Sequence, residues 1–518
     1  MKSINEAVVL DHFVQLMKSK EITFLVKHED LYAEIEEHII HLKSDCGMNR
    51  KIQSAKKLWK ILFRTSMSYI DPDQRGYDDL FGFFDEYVEF EELIFASDSF
   101  YRDHTLHCLW VYFLGVYIRT IGDFDEVIQL DNVVNLHLDF LKYIIAERSN
   151  HKNVGVIAQV VDLMEAAVKY EQSIFCVSSL THDLGYPIKK ISKINKSIKK
   201  ILPYFGINNF DEFNFHYDSI QQHFNERFID LISLEPDYSL TVKVNNTEDE
   251  KKVQKIFKNI SKTLSNGDVG FDLEAFKSIN IEDQNLVIDS FVAKRREFKN
   301  YPTEIRYSDD IEQYQHGIMS AFLLTKVVQS FRHMEYISNN NKQDLTLHAK
   351  ANYPRFIVKQ TILRAITDHT STGYQIVSID EHSELLTFID ELEEFSRISR
   401  ANQNREFINE FCDTQLYMQD GIFVINFLFN NAEINGLDPE LAFKGRCKKL
   451  LSLFNIEKLD SKLHLKLSCI GDLPYDKNTY TIEIKNKFAK ITINDEEQII
   501  PNYLKTNDFM TREGYESL

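Results

Sequence analysis

The 518-residue chain carries 60 basic and 79 acidic side chains, a formal charge of −19, with only 17 Gly and 9 Pro, well under half the usual share of about 12% for the two together. That scarcity excludes collagenous, low-complexity and loop-rich all-β designs, while an apolar fraction of 43% with 38 Phe and 24 Tyr is ample for large helical cores. The acidic balance argues against a broad nucleic-acid or anionic-membrane surface, because like charge repels phosphate before contact, but it leaves room for a local basic site.

The length suggests two or three domains. Cys46, Cys108, Cys176, Cys412, Cys447 and Cys469 are scattered without a CxxC pair, as in a reduced, cytoplasmic protein. The N-terminal residues are broken by Asp, His, Lys and Glu, and no stretch approaches about 18 uninterrupted apolar residues. Neither a signal peptide nor a membrane partner is expected.

Residues 1–95 have helical periodicity, as in LYAEIEEHIIHL (31–42) and AKKLWKILFRTSM (55–67), and run into a turn-rich stretch at 71–79. The helical pattern continues from about 96 to 400. It is broken by polar stretches at 235–252 and 338–345, which read as surface loops or insertions. After about 418 the period changes to two: 421–429, 463–470, 479–485 and 489–494 read as strands, with a helix over 438–455 opened by Asp438-Pro439. The tail at 401–518 is therefore a small α+β domain.

The chemistry-bearing residues sit within the helical stretch. An apolar helical run delivers His182 next to Asp183 and then Gly-Tyr-Pro; a neutral nitrogen beside a hard carboxylate suits divalent cations. In FYRDHTLHCLWVYFLGVYIR, His104 and His107 share the apolar stripe of one helix with Val111, Leu114 and Ile118, so their nitrogens must be satisfied by hydrogen bonds or by a metal. His316 leads another apolar helix and His369 ends one. Asp390 lies four residues after Leu386, on or near a core-facing side. Glu391, Glu393 and Glu394 read as a solvated helical face, with Glu394 also within reach of supporting Asp390, and the Asp309-Asp310 pair reads as a turn. In PIKKISKINKSIKKILPYFG, Ile188, Ile191, Ile194, Ile198 and Ile201 form one stripe and Lys189, Lys190, Lys193, Lys196, Lys199 and Lys200 the other face. That cluster is either a phosphate-binding segment or an ordinary solvated face. Arg102 and Arg364, each five residues before a histidine of interest, could contact phosphate or form structural ion pairs.

The order His107, His182-Asp183, His316, His369, Asp390 resembles the HD superfamily of metal-dependent phosphohydrolases. The likeness extends to H-x-x-x-V from His107 to Val111, to HD-x-Gly in SSLTHDLGYP, and to a terminal aspartate helix in FIDELEEFSR. His107 is therefore preferred over His104. The resemblance covers about residues 96–400 and implies a mainly α fold. Its all-helical core at 96–400 accommodates an insertion at about 203–300, with an N-terminal helical extension at 1–95 and the α+β tail outside it. It implies metal ligation by His107, His182, Asp183 and Asp390, with Asp183 bridging, His316 and His369 completing a second metal, and His182-Asp183 at the catalytic centre. One or two ions of Mn, Fe, Mg, Zn, Co or Ni would polarise a phosphoryl oxygen and supply hydroxide from bound water. The expected substrate is a small phosphorylated molecule or nucleotide, bound with help from Lys189, Lys190, Lys193, Arg102 and Arg364. Single-stranded nucleic acid is a less favoured substrate, given the acidity. A di-iron oxygenase and a non-catalytic metal-stabilised regulatory scaffold are the readings from other classes, and a homo-oligomer is compatible with any of them.

Overall fold

The fold, taken from a computed structural model, is described for residues 4–44, 46–73, 76–95, 100–125, 127–128, 132–147, 154–207, 209, 211–213, 218–242, 247–263, 269–332, 334, 353–393, 395, 397–399, 412–432 and 437–505. It is mostly helical, with a sheet near the C-terminus. In chain order the helices are α1 (Glu6–Lys18), α2 (Tyr32–Lys43), α3 (Met48–Ile70), α4 (Asp78–Phe95), α5 (His104–Thr120), α6 (Asn132–Glu147), α7 (Val154–Thr181), α8 (Tyr186–Ile201), α9 (Ser219–Ile232), α10 (Thr247–Ile260), α11 (Leu273–Ser278), α12 (Ile281–Ser290), α13 (Tyr301–Glu312), α14 (His316–Val327), α15 (Gln329–Arg332), α16 (Tyr353–Asp368), α17 (His382–Leu392), α18 (Pro439–Leu453) and α19 (Ile500–Lys505).

The organising element is α7. The last nine residues of α7, Ser173–Thr181, are buried on every side, as a helix end can be only inside a core, and α7 is flanked by α3, α5, α6, α16 and α17. Ile174, Phe175, Cys176, Val177 and Leu180 are all buried. Its C-terminal carbonyls, left without intrahelical partners, find one in the Trp59 indole, whose Nε1 donates to the Leu180 carbonyl at 2.6 Å. The helix therefore ends in the middle of the molecule, and the next two residues are His182 and Asp183. A separate apolar cluster forms where α6 and the first half of α7 meet the 247–290 region, through Phe140, Ile144, Ile157, Ile256, Phe276 and Ile288.

The stretch at 96–400, expected to be all-helical, holds three two-stranded pairings among the described residues. β1 (Phe100–Arg102) runs antiparallel to β6 (Arg397–Ser399), tying the two ends of that stretch together. β2 (Leu234–Val242) pairs with β5 (Phe291–Lys299), and β3 (Ser261–Thr263) with β4 (Val269–Phe271). The polar stretch expected as a loop at 235–252 is therefore strand β2 up to Val242 and helix α10 from Thr247. Its ladder partners lie 49 to 65 residues away, from Val242 with Phe291 to Leu234 with Lys299, beyond the reach of local pattern. The stretch at 338–345 lies outside the described residues.

The tail forms a six-stranded sheet, β12-β11-β10-β9-β8-β7, from β7 (Asp413–Gln419), β8 (Ile422–Phe429), β9 (Leu465–Gly471), β10 (Thr479–Lys485), β11 (Phe488–Ile493) and β12 (Glu496–Gln498). Neighbours are antiparallel except β8 and β9, which run parallel because α18 crosses between them. Asp438 caps α18, its side chain accepting from the Leu441 N–H at 2.8 Å. One face of the sheet carries Phe423, Ile425, Leu465, Leu467 and Ile482, all buried. It is covered by α18, with Phe443 stacked on Tyr480, and by α17, with Phe388 at 5.6 Å from Phe423. A single apolar core runs from α1 through α17 into this sheet.

Candidate metal centre

Five elements bring the histidines and carboxylates together. α5 is pinned at its start by Asp103, which accepts from the Leu106 N–H at 3.0 Å, and by Glu91 of α4, whose carboxylate takes the N–H groups of His104 and Thr105 at 3.0 and 3.2 Å. A carboxylate at a helix N-terminus is favoured by the exposed N–H groups and the dipole. Glu91 also takes the ring of His104, Nδ1 to Oε1 at 2.5 Å. His104 is thus a satisfied buried histidine and His107, one turn later, faces the centre. The turn after α7 supplies His182 and Asp183. His316 opens α14, His369 follows α16, and Asp390 lies in the last turn of α17.

The ligand atoms form two groups about one carboxylate. His107 Nε2 lies 2.8 Å from Asp390 Oδ1, 3.3 Å from His182 Nε2 and 3.6 Å from Asp183 Oδ2. His182 Nε2 lies 3.5 Å from Asp183 Oδ2 and 3.9 Å from Asp390 Oδ1. The other Asp183 oxygen, Oδ1, faces His316 Nε2 at 3.2 Å and His369 Nε2 at 3.6 Å. Two sets, His107/His182/Asp390 and His182/Asp183/His369, each have ligand atoms within 4.8 Å of one another. Ligands held at about 2.1 Å from a shared ion sit about 3 Å apart in neighbouring octahedral positions, which is the spacing of the closest of these pairs.

The protonation pattern fits a cation. His182 Nδ1 donates to the Ser179 carbonyl at 2.8 Å, His369 Nδ1 to the Ile366 carbonyl, and His107 Nδ1 to Glu393 Oε2 at 2.6 Å. With Nδ1 carrying the proton, each Nε2 presents a lone pair to the centre. Burial lowers His182 to about 4 and His316 to about 3, against the attraction of Asp183, so both rings are neutral at pH 7. His369 Nε2 is buried and has no hydrogen-bond partner. Converging lone pairs without intervening protons repel unless a cation lies between them, so these residues could hold a divalent metal.

Close packing keeps the two halves in register. Ser320 of α14 donates to the His182 carbonyl at 2.6 Å and accepts from the Gly185 N–H at 2.7 Å. A Cβ on Gly185 would lie 2.3 Å from the His316 carbonyl, and one on Gly317 would lie 2.5 Å from the Ile366 carbonyl and 2.9 Å from His369 Cε1. Behind His369, Asp368 takes Arg306 Nη2 at 2.9 Å, Tyr307 Oη at 2.8 Å and Ser383 Oγ at 3.1 Å. Asp310, expected in a turn, is a buried residue of α13 that binds Ser371 and accepts from the Thr372 N–H at 3.0 Å, fixing the loop after His369.

All six expected ligands, His107, His182, Asp183, His316, His369 and Asp390, converge. The basic residues divide. Lys189 reaches the rim, with Nζ 2.5 Å from Gln315 Oε1 and its charge felt by His316. Lys190 sits over the Tyr186 ring at 4.4 Å. The side chains of Lys193 and Arg102 lie outside the described residues, although Arg102 stands in β1 opposite Arg397. Arg364 acts on the Tyr307 hydroxyl behind His369.

Glu393, expected on a solvated face, is instead fully buried against His107. The signal was present in the spacing, since Leu386, Asp390 and Glu393 stand at i, i+4 and i+7 on one helical face. Glu391 pairs with Lys449 of α18 at 2.7 Å, and Glu394 lies outside the described residues. None of the six cysteines is joined in a disulfide, and no described helix is long and apolar enough to cross a membrane. Compared with protein-family models, with curated proteins and with solved structures, the chain matches none of them.

Proposed function

We propose that the chain is a metal-dependent phosphohydrolase of the HD type, acting on a small phosphorylated molecule or nucleotide. The observation that carries this reading is the Asp183 carboxylate, one oxygen facing His107 and His182, which Asp390 also approaches, and the other facing His316 and His369, an arrangement suited to a ligand shared by two cations. A divalent ion bound there supplies Lewis acidity toward a phosphoryl oxygen and toward water.

The protein's own groups do the rest. The Nδ1 atoms of His107, His182 and His369 are held by Glu393 and by the Ser179 and Ile366 carbonyls, so the ring orientations are set before any ligand arrives. Asp390 and His316 are the least buried of the six, with side-chain exposures of 14% and 18%, and they mark the mouth. Lys189 stands beside His316, where it can orient a phosphate by charge. The test is metal analysis of the purified protein together with a Mn²⁺-supplemented screen of nucleotides and a generic phosphodiester. The paired substitutions His182→Ala and Asp183→Ala remove bound metal and turnover together. Full turnover in that variant would sink the assignment.

A further inference from the structure

The segment leaving the metal centre carries a second feature. α8 starts three residues after Asp183, spans 16 residues or about 24 Å, and continues into a short 3-10 turn at Leu202–Phe205. Large apolar side chains at its far end point into water: Ile201 is 56% exposed, Tyr204 91%, Phe205 75% and Phe213 61%, with Ile207 also exposed. They are held there. The Asn195 side chain, itself buried, clasps the Phe213 backbone at both ends, Nδ2 to O at 2.8 Å and Oδ1 from N at 3.0 Å, and Lys199 pairs with Glu212. Lys196, Lys199 and Lys200 are exposed around the same end. From 186 to 213 the chain has six lysines against Asp211 and Glu212, on a protein whose net charge is −19.

The geometry points to this knuckle as a docking site for the headgroup–acyl boundary of a bilayer containing acidic phospholipid. Large apolar side chains exposed together over 201–213 mark a binding surface, and lysines beside exposed aromatic and aliphatic side chains are the combination that enters a bilayer interface. Charge complementarity selects an anionic partner. Charges are screened beyond about 8–10 Å at physiological salt, so the local lysines, not the global acidity, govern the approach. A symmetric contact between two copies would bring the same lysine-rich surface together from both sides. Single-stranded nucleic acid could stack on Tyr204 and Phe205, but Ile201 and Ile207 offer no stacking face and gain only from hydrocarbon. The inference is independent of whether the metal centre hydrolyses phosphate.

The test is flotation of the full chain with vesicles of phosphatidylcholine alone, and with vesicles in which about a third of the lipid is phosphatidylserine. The wild type floats with the phosphatidylserine vesicles, and less at high salt. Tyr204→Ser with Phe205→Ser loses about tenfold or more of the bound fraction, and Lys196→Gln with Lys200→Gln about fivefold per lysine. Because Trp59 and Trp110 are both buried, Phe205→Trp places an exposed indole whose emission shifts to the blue on the same vesicles. Failure to float, or flotation unchanged in the Tyr204/Phe205 variant, overturns the inference. So does a patch that instead retains an oligonucleotide or drives self-association.

Discussion

Glu393 gives the most direct measure of how the protein tunes its ligands. Its Oε2 lies 2.6 Å from His107 Nδ1 with both side chains fully buried, so no solvent can replace the bond. A hydrogen bond to a charged acceptor is worth about 1.5–3 kcal/mol against about 1 for a neutral one. Glu393→Gln keeps an acceptor and loses the charge, a cost of about 1 kcal/mol, and therefore weakens metal binding by about fivefold. Glu393→Ala removes the acceptor and frees His107 to rotate, weakening binding by about 10- to 100-fold. Manganese titration against a competing chelator, with circular dichroism to confirm folding, reads both values. A folded Glu393→Ala protein that binds within about twofold of wild type would refute the view that this carboxylate sets the ligand.

Other substitutions probe packing, titration and the rim. Gly317→Ala drives a Cβ against the Ile366 carbonyl at 2.5 Å, and should cost about 1–3 kcal/mol in chemical denaturation; an unchanged midpoint would show that α14 can move away from α16. His382 is half-buried near Arg119, and desolvation lowers it to about 3 from 6.5, so the folded ring stays neutral while the unfolded ring takes a proton below 6.5. Its stabilising share is complete above pH 6.5 and is lost as pH falls toward 3, at about 1.4 kcal/mol per pH unit. His382→Phe removes that slope, and identical slopes in urea unfolding would contradict it. Glu384 behaves oppositely: burial and Glu381 raise it to about 8 from 4.5, against the Tyr374 hydroxyl that donates to it at 2.8 Å. The wild type then loses stability as pH rises from 4.5 to 8, and Glu384→Gln flattens that window. Lys189→Gln should raise KM by about three- to tenfold with kcat little changed, and a salt dependence of KM equal to wild type would remove Lys189 from substrate binding.

The ligands could be read from the sequence because each is a distinctive residue type at the end or on the apolar stripe of a strongly periodic helix, and His182-Asp183-Leu-Gly adds a local pattern. The strands of the tail were visible for the same reason: Thr479 to Lys485 alternates with the pleat, and its neighbours repeat the pattern. Strand β2 was hidden because a polar sequence is made into a strand by β5, far along the chain. Glu393 was hidden by its neighbours, since three glutamates in four positions look solvated until the helix is phased on Leu386 and Asp390. The split roles of Lys189 and Lys199 were equally illegible, because Gln315 and Glu212 reach them from other elements.

The contact of Phe388 with the tail bears on what could be cut out or transplanted. Phe388 packs on Phe423 and Phe454, and Asp390 follows it by two residues on the same helix. A piece ending near residue 400 would contain every candidate metal ligand yet leave this phenylalanine in water and α17 without its Lys449 tether. The smallest self-sufficient unit is therefore larger than the stretch that contains the ligands. A rearrangement that exchanged the tail would have to bring its own cover for α17, or the placement of Asp390 against His107 would be lost first.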